Sequence, residues 1–154
     1  MSKVLVATSK PFDSEAIDLM RIEVVRHGHD LVLLENYSSE AELLAAVSDA
    51  DALIVRSDLV TPTVIEAATQ LKIVVRAGAG YDNIDLSAAS AHGIVVENTP
   101  GQNSNAVAEL AIAMMLFQAR GKFNGGTGTE LKGKTLGIHG LGNVGQCIDR
   151  KSVG

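Results

Sequence analysis

The sequence predicts an α/β fold built on a doubly wound parallel sheet. Two patterns lead there: short, continuously apolar runs of the kind buried on both faces, and helical patterns between them, several entered through a cap residue. A third observation sets the later part of the chain apart, a glycine-rich turn that directly follows a further apolar run.

The elements follow in order. Val4 to Ala7 reads as a strand, and after Pro11-Phe12-Asp13 the apolar positions Ile17, Met20 and Val24 fall at helical spacing, with Gly28 as the closing cap. Leu31 to Leu34 is a second strand. Ser39-Glu40-Ala41-Glu42 then has capping-box spacing ahead of Leu43, Leu44 and Val47. Ala52 to Val55 is a third strand, followed by Thr61 as cap and Pro62 at the first helical position, where a missing N–H costs nothing. Ile73 to Val75 is a fourth strand, Asp85 to His92 a short helix closed by Gly93, and Ile94 to Val96 a fifth strand.

The pattern changes after Asn98. Asn105 to Arg120 is a helix that is apolar nearly all round, so it is expected to be buried between layers, domains or subunits. The stretch from Gly121 to Gly133 carries Gly121, Gly125, Gly126, Gly128 and Gly133 with only Phe123 and Leu131 apolar, and reads as a linker. A sixth strand is predicted over Lys134 to His139. The chain divides accordingly into residues 1–100, a crossing or interface helix over 101–121, a linker over 122–133, the start of a second unit over 134–148, and a tail over 149–154.

Composition narrows the function classes. A net charge of −5 without a basic cluster argues against a nucleic-acid partner, since phosphate contacts need grouped Lys or Arg. No stretch approaches the roughly eighteen consecutive apolar residues of a membrane span, and no secretory signal opens the chain, so a cytoplasmic location is the expectation. The single cysteine, Cys147, forms no internal disulfide, and no metal site is predicted.

The turn Gly140-Leu141-Gly142-Asn143-Val144-Gly145 fits G-x-G-x-x-G, and its position between an apolar run and a helical one gives the match meaning. Gly140 would allow the tight turn, Gly142 a close approach to a pyrophosphate, and Gly145 close helix–strand packing, with the helix N-terminal N–H groups facing the anion. An acidic partner for the ribose would lie about 20 residues on, beyond the last residue, so NAD and NADP are not separated.

Taken together, five blocks resemble the D-2-hydroxyacid dehydrogenase family: Leu53 to Ser57, Val75 to Asp85, Gly93 to Pro100 with Asn98-Thr99-Pro100, Asn105 to Leu110, and Leu131 to Ile138 running into the glycine motif. The resemblance covers residues 1 to about 148, in a compact subgroup with an abbreviated crossing segment. It implies a flavodoxin-like substrate domain interrupted by a Rossmann domain, of which only the first strand–turn–helix unit is present, and a homodimeric parent. The implied activity is NAD-dependent oxidoreduction of a small 2-hydroxyacid or 2-oxoacid. Two strand-end arginines favour a phosphorylated substrate such as 3-phosphoglycerate.

The resemblance assigns substrate contact to Arg56, Ser57, Arg76, Gly78, Ala79, Gly80 and Asn103, and cofactor contact to Ala79, Gly140, Gly142, Asn143, Val144 and Gly145. Physically, Gly78 to Gly80 at the carboxyl end of a strand can present N–H groups to a carboxylate, which Arg56 and Arg76 can pair. His27, His29 and His92 read as solvated cap residues, His139 lacks an orienting partner, and Glu109 reads as a structural carboxylate near a helix start. The family's catalytic arginine, glutamate and histidine have no counterpart in these residues, so no catalytic residue is assigned and the isolated chain is expected to be inactive. Asp149 to Gly154 breaks the apolar periodicity expected there and reads as a non-native tail, of a kind encoded by adapter DNA. The competing reading is a non-catalytic, anion-binding or regulatory module that dimerises through the helix 105–120.

Overall fold

The computed structural model describes residues 1–152. Five strands, β1 (Lys3–Thr8), β2 (Asp30–Glu35), β3 (Ala52–Val55), β4 (Ile73–Arg76) and β5 (Val95–Asn98), form one parallel sheet in the order β2-β1-β3-β4-β5. That order is the flavodoxin-like one, with the chain reversing its direction of travel across the sheet between β1 and β3. Between the strands lie α1 (Ser14–Arg26), α2 (Glu40–Val47), α3 (Pro62–Ala67) and α4 (Leu86–Ala91).

Caps and turns end these helices where their sequences say they should. The carboxylate of Asp13 accepts from the Glu15 N–H at 3.0 Å, the Thr61 hydroxyl from Val64 N–H at 3.3 Å, and the Asp85 carboxylate from Ala88 N–H at 2.8 Å. Glu42 Oε1 accepts from the Ser39 N–H at 3.1 Å, which starts α2.

Side-chain alternation along the strands feeds two apolar clusters. Leu5, Ala7, Leu53 and Val55 join Leu43, Val47, Val64 and Ile65 on one side of the sheet. Val6 and Leu31 join Ile17 of α1, with Val4, Phe12, Met20, Val24 and Ile54, on the other. The second face is only partly covered. A helix about 10 Å wide spans roughly two strands spaced at about 4.8 Å, so α1 shields β1 and β2 while Val95 on β5 stays 53% exposed.

The chain separates into two compact units, Met1–Thr99 and Pro100–Gly154. The second contains α5 (Ser104–Ala119), a 3₁₀ turn at Gly121–Phe123 and α6 (Asn143–Ser152). One sequence expectation is corrected in it. Lys134 to His139 forms no strand and pairs with none, because among the described residues the unit offers no second strand to supply ladder partners. Within this chain the helix 105–120 has little of the cover its composition calls for: only Ser104 and Ala108 of α5 are enclosed, while Leu110 and Met114 are 60% and 62% exposed. Its composition calls for cover on several sides, and α6 packs along only one of them. The helix α6 runs on through Asp149 to Ser152, which are polar and carry no apolar periodicity; Val153 and Gly154 lie outside the described residues.

Candidate functional site

The first unit concentrates its polar chemistry at the carboxyl ends of the strands, where parallel α/β sheets bind ligands. Register sets the spacing there. Ala7, Val55, Arg76 and Asn98 lie opposite one another on β1, β3, β4 and β5. Arg56, Ser57 and Gly78 to Gly80 follow directly beyond that row.

The loop after β4 is held from one side and left free on the other. Gly78 N–H donates back to the Arg76 carbonyl at 2.8 Å, and Thr99 N–H donates to the Gly78 carbonyl at 2.9 Å. The Asn98 amide donates to the Ala79 carbonyl at 2.7 Å. With these carbonyls engaged, the N–H groups of Ala79 and Gly80 donate to no protein group among the described residues. The Arg76 guanidinium lies against the loop: a Cβ on Gly78 would fall 1.3 Å from its Nη1, the mobile end of that side chain. Arg76 Nε is itself buried without a partner. The arrangement is a pair of outward amides beside a cation, suited to a carboxylate or phosphate. Arg56 and Ser57 are solvent-exposed on the adjacent strand end.

A cleft of about 590 Å³ opens between the ends of β1 and β3, at the reversal of strand order. Of the residues picked out from sequence, only Ser57 lines it. Ser9, Tyr37, Ser38, Ser39, Glu40, Asp58 and Thr61 supply most of its other polar lining. Asp58 is 7% exposed, and its Oδ1 accepts from Ser9 N–H at 2.6 Å and from the Tyr37 hydroxyl at 2.8 Å. Burial pushes the Asp58 carboxyl up, but these donors outweigh it and hold the group below its ordinary value. Burial, the hydrogen bond to Asp58 and its negative charge all push the Tyr37 phenol up, so it stays protonated as a donor. Sequence reasoning passed over Asp58 and Tyr37, and placed Asn83 and Asn98 in matching blocks without assigning them a role. The signal available was Asp58 directly after Arg56-Ser57, a charged residue immediately beyond the block Leu53 to Ser57.

In the second unit the glycine turn has the shape its spacing implies. A Cβ on Gly145 would lie 2.2 Å from the Gly140 carbonyl oxygen, so only glycine lets the start of α6 press against the turn. At Gly142 a Cβ would meet nothing within 4 Å, which leaves the outer side open to a ligand. Asn143 and Val144 open α6, and Gln146 N–H donates to the Gly142 carbonyl at 2.9 Å. The N–H groups of a first turn have no intrahelical acceptor, and this is the donor set a diphosphate needs. Asn103 caps α5 without a side-chain hydrogen bond; its turn reaches the motif through Gly101, where a Cβ would lie 2.9 Å from Nδ2 of Asn143. His139 and Gly140 line a cleft of about 340 Å³ with Val144, Gly145 and Ile148.

The remaining candidates behave as structural groups. His27 and His92 direct Nδ1 to the carbonyls of Glu23 and Ala88, and His29 Nδ1 accepts from Ser2 N–H. Glu109 is bound by Lys151 at 3.2 Å and by Asn105 at 2.9 Å, which together hold its carboxyl below the usual value. Among the described residues no three His, Cys, Asp or Glu side chains gather as metal ligands, and no helix is long and apolar enough to cross a membrane.

Comparison with known proteins agrees with this geometry. A family model described as D-isomer specific 2-hydroxyacid dehydrogenase, catalytic domain, matches residues 4–151. The chain is 38% identical to a hydroxypyruvate reductase of Thermotoga maritima, over 99% of this chain and 53% of the relative. It is 45% identical to a D-3-phosphoglycerate dehydrogenase of Archaeoglobus fulgidus, over 93% of this chain and 28% of the relative. Among solved structures it is similar to the NAD+-bound 3-phosphoglycerate dehydrogenase of Entamoeba histolytica, with a TM-score of 0.95 and 47% identity over 99% of this chain and 50% of that one. A second is the NAD-dependent formate dehydrogenase of Staphylococcus aureus in complex with NAD, with a TM-score of 0.80 and 28% identity over 97% of this chain and 53% of that one. The chain thus spans about half, or less, of the length of the relatives it matches.

Proposed function

The chain belongs to the D-isomer specific 2-hydroxyacid dehydrogenase family, and from that premise we propose that it supplies the substrate-anion site and the first dinucleotide-binding turn of an NAD-dependent dehydrogenase of the phosphoglycerate type. The reaction of the whole enzyme is oxidation of 3-phosphoglycerate to 3-phosphohydroxypyruvate, the hydride passing to NAD, as a step toward serine. The observation that carries the reading is the loop Gly78–Gly80, in which the Ala79 and Gly80 N–H groups have no protein acceptor among the described residues and Gly78 lies against the Arg76 guanidinium. Arg56 and Ser57 on the neighbouring strand end add a second cation and a hydroxyl for the same acid.

NAD, when bound, supplies the hydride acceptor. Gly140, Gly142, Asn143, Val144 and Gly145 would hold its diphosphate through backbone N–H groups, with room at Gly142 and close packing at Gly145. The chain provides binding and orientation without the acid–base group that takes the hydroxyl proton. It is therefore inactive by itself, since general acid–base help is worth about two to four orders of magnitude in rate. The enzyme is a cytoplasmic homodimer in this reading, and the apolar exposed faces of α5 support the dimer.

Titration of the 15N-labelled chain with 3-phosphoglycerate tests the proposal. The amide resonances of Arg56, Ser57, Ala79 and Gly80 are expected to shift, those of Gly140 to Gly145 to shift with NAD, and mixing both with the chain to give no NADH. Shifts confined to other residues, or turnover by the chain alone, would overturn it.

A further inference from the structure

Asp58, 7% exposed, lies in the segment after β3, and its hydrogen bonds reach the segments after three other strands. Oδ1 receives Ser9 N–H from the segment after β1 and the Tyr37 hydroxyl from the segment after β2. The Asp58 carbonyl receives Nδ2 of Asn83 at 2.8 Å, from the segment after β4. Val60 N–H donates to the Asn83 carbonyl at 2.9 Å, and Asp85 N–H to the Val60 carbonyl at 3.0 Å, so the segments after β3 and β4 are laced together twice more.

This lacing sits next to the proposed anion site along the chain in both directions. Ser57 directly precedes Asp58, and Gly80 lies three residues before Asn83. Oδ2 of Asp58 is buried with no donor. A stranded carboxylate oxygen is a cost, tolerated where the other bonds of the same side chain fix something worth more than the loss.

We infer that Asp58 is a positioning residue which, with Tyr37 and Asn83, sets the separation between the Arg56–Ser57 segment and the Ala79–Gly80 amides. The identity of the bound acid rests on the function proposed above, whereas the positioning is readable without any ligand. The loop after β4 has its carbonyls fixed by Asn98 and Thr99 on one side. Asn83 fixes its far end to Asp58, so the two free N–H groups are held between two anchors. Releasing the Asp58 anchor lets the loop drift relative to Arg56, and an anion bridging the two loses one of its contacts.

The test uses amide spectra of the chain and its affinity for 3-phosphoglycerate. Asp58→Ala is expected to move the ligand-free resonances of Arg56, Ser57, Ala79 and Gly80 and to weaken binding about tenfold, the scale of one charge-assisted contact. Asp58→Asn keeps an acceptor for Ser9 and Tyr37, and is expected to return those resonances toward the wild-type positions with most of the affinity restored. Tyr37→Phe removes only a hydroxyl and Asn83→Ala removes the amide donor without adding charge, and both carry the same expectation if Asp58→Ala does not fold. Folded variants whose Ala79 and Gly80 amides stay at wild-type positions would overturn the inference. So would changes spread evenly over β1 to β5 and not rescued by Asn, the mark of a general stabilising role. A wild-type chain that binds no organic acid would remove the anion reading of the loop alone, leaving the ligand-free spectra to decide the positioning.

Discussion

At the residue scale, the second and third glycines of the turn at 140–145 are required for different reasons, and substitution separates them. A methyl at Gly145 would be driven to 2.2 Å from the Gly140 carbonyl, so Gly145→Ala displaces the start of α6 at an overpacking cost of about 1–3 kcal/mol. A methyl at Gly142 meets open space, so Gly142→Ala leaves the turn intact and fills only the side a nucleotide would approach. The expected outcome is that Gly145→Ala shifts the amide spectrum of residues 140–152 without ligand, whereas Gly142→Ala shifts little and loses NAD-induced changes. Equal structural disturbance by both would mean that the third glycine has no packing role. The motif's spacing made Gly145 legible in the sequence. Asp58 was not, because its meaning comes from donors 49 and 21 residues away at Ser9 and Tyr37, a convergence that only the order of strands creates.

Elements show where local signals suffice and where they fail. The helices of the first unit begin at Asp13, Ser39, Thr61 and Asp85, each marked in the sequence by a cap chemistry that acts within three residues. Thr61→Ala tests one of these starts: losing the acceptor for Val64 N–H costs about 1 kcal/mol, read as a lower urea midpoint with an unchanged slope. A midpoint equal to the wild type would place the start of α3 under the control of packing by Val64 and Ile65 instead. The apolar run Leu136 to Ile138 misled for the opposite reason. An apolar run states a preference for burial, and becomes a strand only where a neighbouring backbone completes the ladder, which no described segment offers it. The α5 composition is likewise a requirement for cover that the sequence states and the described residues meet on one side only.

For the whole molecule, stability is distributed very unequally between the two units. Burial of apolar surface is the dominant favourable term in folding, and among the described residues every buried apolar side chain except Ala108 lies before residue 100. All five strands of the sheet lie there as well, as do both apolar clusters. Among its described residues the second unit encloses only Ser104, Ala108 and Gly145, which gives its helices little to hold them when the chain fluctuates. The first unit should therefore carry the cooperative transition by itself. A chain ending at Thr99 is expected to keep the β-sheet circular dichroism, to unfold in urea within about 0.5 M of the sheet transition of the 154-residue chain, and to retain the 3-phosphoglycerate-induced shifts at Ala79 and Gly80. Hydrogen exchange on the longer chain should agree, with slow amides in β1, β3 and β4 and fast ones from Lys122 to Leu141, where backbone hydrogen bonds are few. Loss of the cooperative transition on removing residues 100–154 would show that the first unit does not fold without them, and the division at Thr99 would then not mark an independent folding unit.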